Sequence, residues 1–355
     1  MEDHYGEYEI VIWDNSLLDT TLLPLTEDNK IIACAAQFKE NHPNDDITFI
    51  TNDLSCKHIA RSFLNIPVES YIEEQYEYDG YKEVYLDDNE MSDFYSNQDK
   101  NMFDLYINQY LLVYNAETKE LVDRLCWTGN GYRHLTYDSF NSSYFGNVKP
   151  IKGDVYQSLA FDSLLHNKIT MIKGKPGSGK TFTSLGFLLS RLEKGYIDKI
   201  VVFCNTIATK NSAKLGFYPG TRDEKLLDSQ IGNLLTSKLG GKYVVEQMIN
   251  DEQLVLMPLS DIRGYDTSGM RAGIYISEAQ NMDAELMKLT LQRIGEDSIC
   301  IIDGDCKAQV DDIHFAGSNN GMKRASQVFR GEDIYGEITL KNIHRSKIAM
   351  IAERI

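Results

Sequence analysis

The sequence predicts an α/β protein with a phosphate-binding loop seated between a strand and a helix of a parallel sheet. Three observations predict it. Apolar strand candidates at 169–172, 200–204, 254–257, 273–276 and 299–302 alternate with helical stretches, as expected of strands buried on both faces. The run Gly174-Lys175-Pro176-Gly177-Ser178-Gly179-Lys180-Thr181 completes G-x-x-x-x-G-K-[ST], between the first of those strands and a helix expected over 182–192. The fourth strand runs into Ser277-Glu278-Ala279-Gln280-Asn281, which sets an acid at the carboxyl edge, where such sheets bind ligands.

Each part of that core has a chemical reason. Glycines let the loop turn so that successive N–H groups face an anion, and the helix N-terminus adds its positive dipole end. Lys180 is expected to reach the β- and γ-phosphates of a nucleoside triphosphate, and Thr181 to offer its hydroxyl to Mg²⁺. A P-loop in an alternating parallel sheet is the plan of a RecA-like P-loop NTPase core. Glu278 is then the group expected to orient or deprotonate an attacking water. Gln280 is placed to couple nucleotide state to neighbouring loops.

Around the core, texture divides the 355 residues into three. Residues 1–72 alternate apolar and helical stretches, an α/β pattern. Residues 73–148 read as an acidic connector followed by a small β module with a Gly129-Asn130-Gly131 turn. Residues 149–355 are the NTPase domain. The net charge of −17 is uneven: residues 1–150 carry −18 and the remainder +1. A polyanionic partner is therefore repelled by the front and must approach the back. No apolar run is long enough to span a bilayer and the start lacks a signal peptide's basic and apolar regions, so a cytoplasmic chain without membrane partner is expected. Cysteines 34, 56, 126, 204, 300 and 306 include no C-x-x-C pair and read as reduced thiols.

Several segments carry a more specific likeness. Lys214-Leu215-Gly216-Phe217-Tyr218-Pro219-Gly220, Pro258-Leu259-Ser260-Asp261-Ile262-Arg263-Gly264, Ser277-Glu278-Ala279-Gln280-Asn281, Leu291-Gln292-Arg293-Ile294-Gly295 and Asp303-Gly304-Asp305 with Gln309-Val310-Asp311 resemble, in order, the motifs of the PhoH ATPase family. The resemblance implies Mg²⁺-dependent ATP hydrolysis, kinship with superfamily-one helicases, single-stranded RNA as partner and assembly into homo-oligomeric rings, commonly hexamers. It also implies that Gln157 reads the adenine edge and that Asp305 and Gln309 sense the γ-phosphate. Two departures stand out. Where the family has Asp before the strand-end Glu, this chain has Ser277, and where the family has a hydroxyl residue it has Asp303. Asp303 is expected to replace the missing negative charge near the metal's waters. Gly304-Asp305-Cys306-Lys307-Ala308-Gln309 is also one residue longer than the family spacing. For the cation on the transferring phosphoryl group, Arg345 in His344-Arg345-Ser346 resembles a late helicase motif, with Arg263 and Arg293 as alternatives.

At the front, Thr26-Glu27-Asp28-Asn29-Lys30-Ile31-Ile32-Ala33 and Phe49-Ile50-Thr51-Asn52-Asp53-Leu54-Ser55 resemble the last two acidic motifs of PIN-domain ribonucleases. Asp28 and Asp53 fall where two metal ligands belong; the alternative is a helix cap and a turn residue. The first two acidic motifs are expected to be missing, Asp14 being too close to Asp28 to stand in for them. The segment thus reads as a partial PIN-like domain without nuclease activity. The leading expectation is an ATP hydrolase acting on RNA. The alternatives are an ATP-controlled RNA- or protein-binding scaffold in which Ser277 weakens hydrolysis, and an RNA unwindase–ribonuclease if the natural chain is longer.

Overall fold

The computed structural model describes residues 23–51, 53–62, 66–69, 78–136, 139–204, 230–305 and 319–344. The chain forms two compact units, Met1–Glu77 and Tyr78–Ile355. In the first unit, Thr26 caps α1 (Glu27–Asn41) by accepting the Asn29 N–H at 3.3 Å, and Glu27 and Asp28 occupy its first turn, where acids favour the helix dipole. Strand β1 (Phe49–Ile50) pairs in parallel with β2 (Val68–Glu69), and α2 (Leu54–Ser62) makes the crossover. Ile32, Ala36, Cys56, Ala60, Ile66 and Val68 form its core.

The second unit begins in the stretch expected to be a solvated connector, and from Tyr81 onward that expectation is corrected. Residues there form β3 (Tyr81–Leu86) and α3 (Asp88–Ser96). Two acids of that stretch form a capping box: Asp87 accepts the Asn89 and Glu90 N–H groups, and Glu90 accepts the Asp87 N–H. Phe94 on that helix is fully buried. Strand β3 pairs in parallel with β4 (Tyr110–Asn115), which continues antiparallel into β5 (Leu121–Trp127) and β6 (Tyr132–His134). The hairpin of β7 (Phe140–Ser142) and β8 (Gly146–Val148) follows.

From there the chain builds α4 (Val155–His166), β9 (Ile169–Gly174), α5 (Lys180–Glu193), β10 (Lys199–Cys204), α6 (Gln230–Leu239), α7 (Lys242–Asn250) and β11 (Leu254–Pro258). It ends with β12 (Ala272–Ile276), α8 (Ala284–Leu291), β13 (Ile299–Gly304), α9 (Gly321–Phe329) and β14 (Tyr335–Leu340). The six strands of this region form one sheet, ordered β11-β10-β12-β13-β9-β14, with every pair parallel. Side chains alternate between two apolar cores, as the strand period demands. Ile172, Val202, Tyr275 and Ile301 join one core; Met171, Val201, Phe203, Ile274, Ile276 and Ile302 join the other. The five expected strands are present; β14 is a sixth that the sequence reading did not pick out.

The β module shares the first of these cores. Tyr110, Leu112, Cys126, Phe140 and Val148 pack with Leu159, Phe161, Phe187 and Leu188. A buried carboxylate pins the contact. Asp162 on α4 accepts Arg133 Nη1 at 2.8 Å and Nη2 at 2.7 Å, the Tyr110 hydroxyl at 2.8 Å and the Thr136 N–H at 2.7 Å. Its side chain is wholly buried, while Arg133 is partly exposed. Cys34, Cys56, Cys126 and Cys300 are free thiols. No helix among the described residues is long and apolar enough to cross a membrane.

Removing one partner of such a pair leaves the other charge uncompensated. Arg133→Leu should therefore destabilise the second unit by about 3 kcal/mol, read as a lower midpoint in urea unfolding. Tyr110→Phe, which removes only one of four donors, should cost about 1 kcal/mol in the same measurement.

Candidate nucleotide site

The loop leaves β9 at Gly174, and its shape depends on residues without side chains. Gly174 has φ +153°, and a Cβ there would lie 2.8 Å from the Leu340 carbonyl and 2.9 Å from Ser178 Oγ. Gly179 is left-handed at φ +97° and N-caps α5 without any side-chain hydrogen bond to the helix. The first N–H groups of α5 are thus left without the side-chain acceptor that usually caps them, which suits an incoming anion. Lys180 Nζ rests on the loop's own carbonyls, 2.5 Å from Gly174 O and 3.2 Å from Lys175 O. Lys175, Pro176 and Gly177 form the outer bend, and Ser178 is fully buried beneath it.

Two groups grip this loop from outside. Gln157, on the first turn of α4 and 4% exposed, donates from Nε2 to Ser178 O at 3.0 Å and accepts the Ile151 N–H at 2.9 Å. The amide expected to read an adenine edge is thus engaged at both ends in supporting the loop. His344, just past β14, donates its N–H to Gly177 O at 2.9 Å. Its Nε2 lies 2.6 Å from Asp154 Oδ2, and Asp154 is the N-cap of α4.

Sheet order decides what faces the loop. Strand β13 lies between β9 and β12, so Asp303, opposite Ile172, stands between the P-loop and Glu278. Tyr275 and Asp303 point to the α5 side, and the Tyr275 phenol is their meeting point. It donates its one proton to Asp303 Oδ2 at 2.6 Å. Ser277 Oγ lies 3.2 Å from the phenolic oxygen and so donates to it. The Thr181 hydroxyl is near enough to the same phenol to act on its proton affinity. Burial pushes the Tyr275 phenol well above its ordinary range, so it stays protonated.

Asp303 is itself 1% exposed. Burial raises its carboxyl from 3.8 to about 6; the Tyr275 hydrogen bond and the Lys180 charge pull it down, and Glu278 pushes it up. Glu278 adopts a left-handed backbone at φ 54°, uncommon for a residue with a side chain. Its N–H points to Asp303 Oδ1 at 3.3 Å, and its carboxylate accepts Gln280 Nε2 at 2.6 Å. Gln280, 1% exposed, accepts the Asp305 N–H at 3.1 Å and takes Asn320 Nδ2 on its carbonyl at 2.9 Å. The Gln280 side-chain amide therefore joins the Glu278 turn to the end of β13, and its main-chain carbonyl holds the N-cap of α9.

The donor set suits a hard cation. Thr181, Ser277 and Asp303 offer only oxygens, the ligand type Mg²⁺ takes while sharing its shell with substrate phosphates. Among the described residues no group of three His, Cys, Asp or Glu forms a metal cage. In the first unit, Asp53 is exposed and spends Oδ1 on the Cys56 N–H at 2.7 Å, capping α2; that bond holds its carboxyl below the usual range. Asp28 is exposed on α1, and both acids act electrostatically on Cys56. Of the alternative arginines, Arg263 is exposed on the turn after β11. Arg293 lies between α8 and β13, at the amino edge of the sheet and opposite the loop, so it does not serve this chain's own site. Arg345, Gln309, Asp14 and the 214–220 segment with Phe217 and Tyr218 lie outside the described residues. Sequence reasoning missed Tyr275, Asp154 and the His344 side chain. Tyr275 had a signal, a phenol inside an otherwise aliphatic strand.

A glycine loop on an uncapped helix, with a strand-end glutamate two strands away and a buried carboxylate between, is the arrangement of a P-loop NTPase core. A family model described as PhoH-like protein matches residues 150–354, and a PIN-domain model matches residues 6–72. The chain belongs to the PhoH family, with a PIN-like region at its front. It is 26% identical over 364 residues to Protein PhoH2 of Bacillus subtilis, covering 94% of this chain and 79% of that one. Protein PhoH2 of Mycolicibacterium smegmatis is 27% identical over 199 residues, 55% of this chain and 44% of its own length. Protein PhoH of Escherichia coli is 29% identical over 167 residues, 46% of this chain and 45% of that one.

A carboxyl raised by folding binds its proton more tightly folded than unfolded, so its stabilising effect is complete below the unfolded value and fades as pH rises through the folded one. Asp303 should thus cost the ligand-free protein stability between about pH 5 and pH 7, by about 1 kcal/mol. Thermal melts of wild type and Asp303→Asn across that range should diverge by this amount, the wild type losing ground as pH rises.

Proposed function

We propose that this chain hydrolyses ATP with Mg²⁺ and couples the cycle to single-stranded RNA. One observation carries the hydrolase reading: the Tyr275, Ser277 and Asp303 cluster under Thr181, with Glu278 tied to Asp303 by its own N–H. The loop's N–H groups and Lys180 would take the β- and γ-phosphates. Glu278 would accept a proton from water as its oxygen bonds to the γ-phosphorus and the bond to the bridging oxygen breaks. Gln280 fixes the carboxylate's orientation, which supports this role. Mg²⁺, when bound, supplies charge neutralisation on the phosphate oxygens. Thr181 would hold it directly, with Asp303 and Ser277 steadying its waters; the charge that relatives carry at position 277 would come from 303. Asp305 and Gln309 are assigned to sensing the γ-phosphate, and Arg345 to the developing charge.

RNA as partner is supported by the family's likeness to helicases and by the PIN match at the front. A homo-oligomeric ring is proposed on the same likeness. No RNA cleavage is assigned to the PIN-like region, because Asp53 is committed to capping a helix. Ser277 supports a second reading, a scaffold that binds ATP and turns it over slowly.

Phosphate release with and without single-stranded RNA tests the proposal, alongside mass measurement with and without nucleotide. Lys180→Ala should abolish both binding and turnover. Glu278→Gln should bind ATP normally and lose about 100-fold or more in turnover. Asp303→Asn should lose more in turnover than in binding, and the exchange Ser277→Asp with Asp303→Ser should recover part of the loss. Tight ATP binding with negligible wild-type turnover would instead select the scaffold.

A further inference from the structure

We propose that His344 is a positioning residue for nucleotide binding, acting through Asp154 to hold the phosphate loop in its binding geometry. The inference rests on the nucleotide-site reading above. In a trans peptide the C=O and the following N–H point in opposite directions. Whatever holds a loop carbonyl therefore aims the next residue's N–H. Two carbonyls of this loop are held from outside it: Gly177 O by the His344 N–H at 2.9 Å, and Ser178 O by Gln157 Nε2 at 3.0 Å. These clamps come from segments far apart in sequence, the residue stretch after β14 and the first turn of α4.

Asp154 joins them. Oδ2 lies 2.6 Å from His344 Nε2, and Oδ1 accepts the Gln157 N–H at 3.1 Å. The carboxylate is 2% exposed and the imidazole 30%. One buried acid thus fixes both the turn that bears Gln157 and the side chain whose backbone holds Gly177. The loop's glycines cannot hold the geometry themselves: Gly177 at φ +85° and Gly179 at φ +97° have no side chains to lock it. Losing the His344–Asp154 bond frees one clamp from the other. The sheet does not depend on that bond, because β14 is paired with β9 along its length and the Tyr81 hydroxyl donates to Thr339 O. The role is hydrogen bonding rather than proton transfer, since the neutral Nε2–H imidazole and the imidazolium both donate. Glutamine, whose Nε2 reaches a similar position, should replace it.

The test is equilibrium binding of a fluorescent ATP analogue with Mg²⁺ to the full chain, with thermal melts of each variant with and without nucleotide. His344→Leu should weaken binding about tenfold, while His344→Gln stays within about twofold of wild type. In His344→Leu the nucleotide-free melting point should fall, because buried Asp154 loses a donor, and the nucleotide-induced rise should shrink as well. Combined with Gln157→Leu, the loss should be smaller than the two single losses together, since both clamps act on one loop. Unchanged binding in His344→Leu overturns the proposal, as does an equal loss in His344→Gln. A drop in the nucleotide-free melting point with the nucleotide-induced rise intact also overturns it. Wild-type binding abolished by Lys180→Ala, with His344→Leu unaffected, sinks the latch alone. A wild type that takes up no nucleotide overturns the site reading and the latch with it.

Discussion

A negative charge buried under the phosphate loop is the constraint around which the site is arranged. Asp303 stands at the end of a central strand with almost no solvent, so its ionised form must be met by neighbours. Tyr275 donates a proton to one oxygen, the Glu278 N–H points at the other, and Lys180 supplies a charge. Those compensations are incomplete, and burial still dominates its proton affinity. A cation with its waters, as proposed for this site, would complete what the protein leaves short. The left-handed turn at Glu278 then redirects the chain into the segment that bears Gln280.

Comparison with another buried aspartate sharpens the point. Asp162 is equally removed from water but receives a bidentate arginine, a phenol and a main-chain N–H. Full satisfaction makes it an anchor between the β module and α4. Partial satisfaction at Asp303, beside Lys180 and Thr181, leaves capacity for a ligand. Glu337, also buried, pairs with Lys173 at 2.5 Å and accepts the Tyr335 hydroxyl at 2.7 Å. It secures the edge strand on the face away from the loop. The edge itself is covered by the chain entering the second unit, where Thr339 donates to Asp79 O at 2.9 Å.

Legibility from sequence followed physical signal strength. The five apolar strands were readable because burial on both faces forces continuous hydrophobic runs. Strand β14 was not, because Gly336 and Glu337 interrupt its apolar pattern, and Glu337 is tolerated only through Lys173 and Tyr335. The stretch after Tyr81 was read together with the acidic run at 73–79 as one solvated connector, so its own acids counted only as charge. Asp87 and Glu90 are there to end a strand and start a helix. Composition cannot distinguish an acid that faces water from one that caps a helix.

The amino-acid sequence by itself determined the phosphate loop, the acid that ends β12, the parallel α/β plan and the family, because each is a local pattern with a local cause: glycine's freedom, helix dipoles and the period of buried strands. Only the tertiary structure decided which distant residues serve that loop. Gln157 meets Ser178, His344 meets Asp154, and Tyr275 gathers Ser277 and Asp303. Those meetings follow from strand order, which sets β13 between β9 and β12 and brings the end of β14 beside the loop. Strand order is settled by packing across the whole sheet, and no single stretch of sequence contains it.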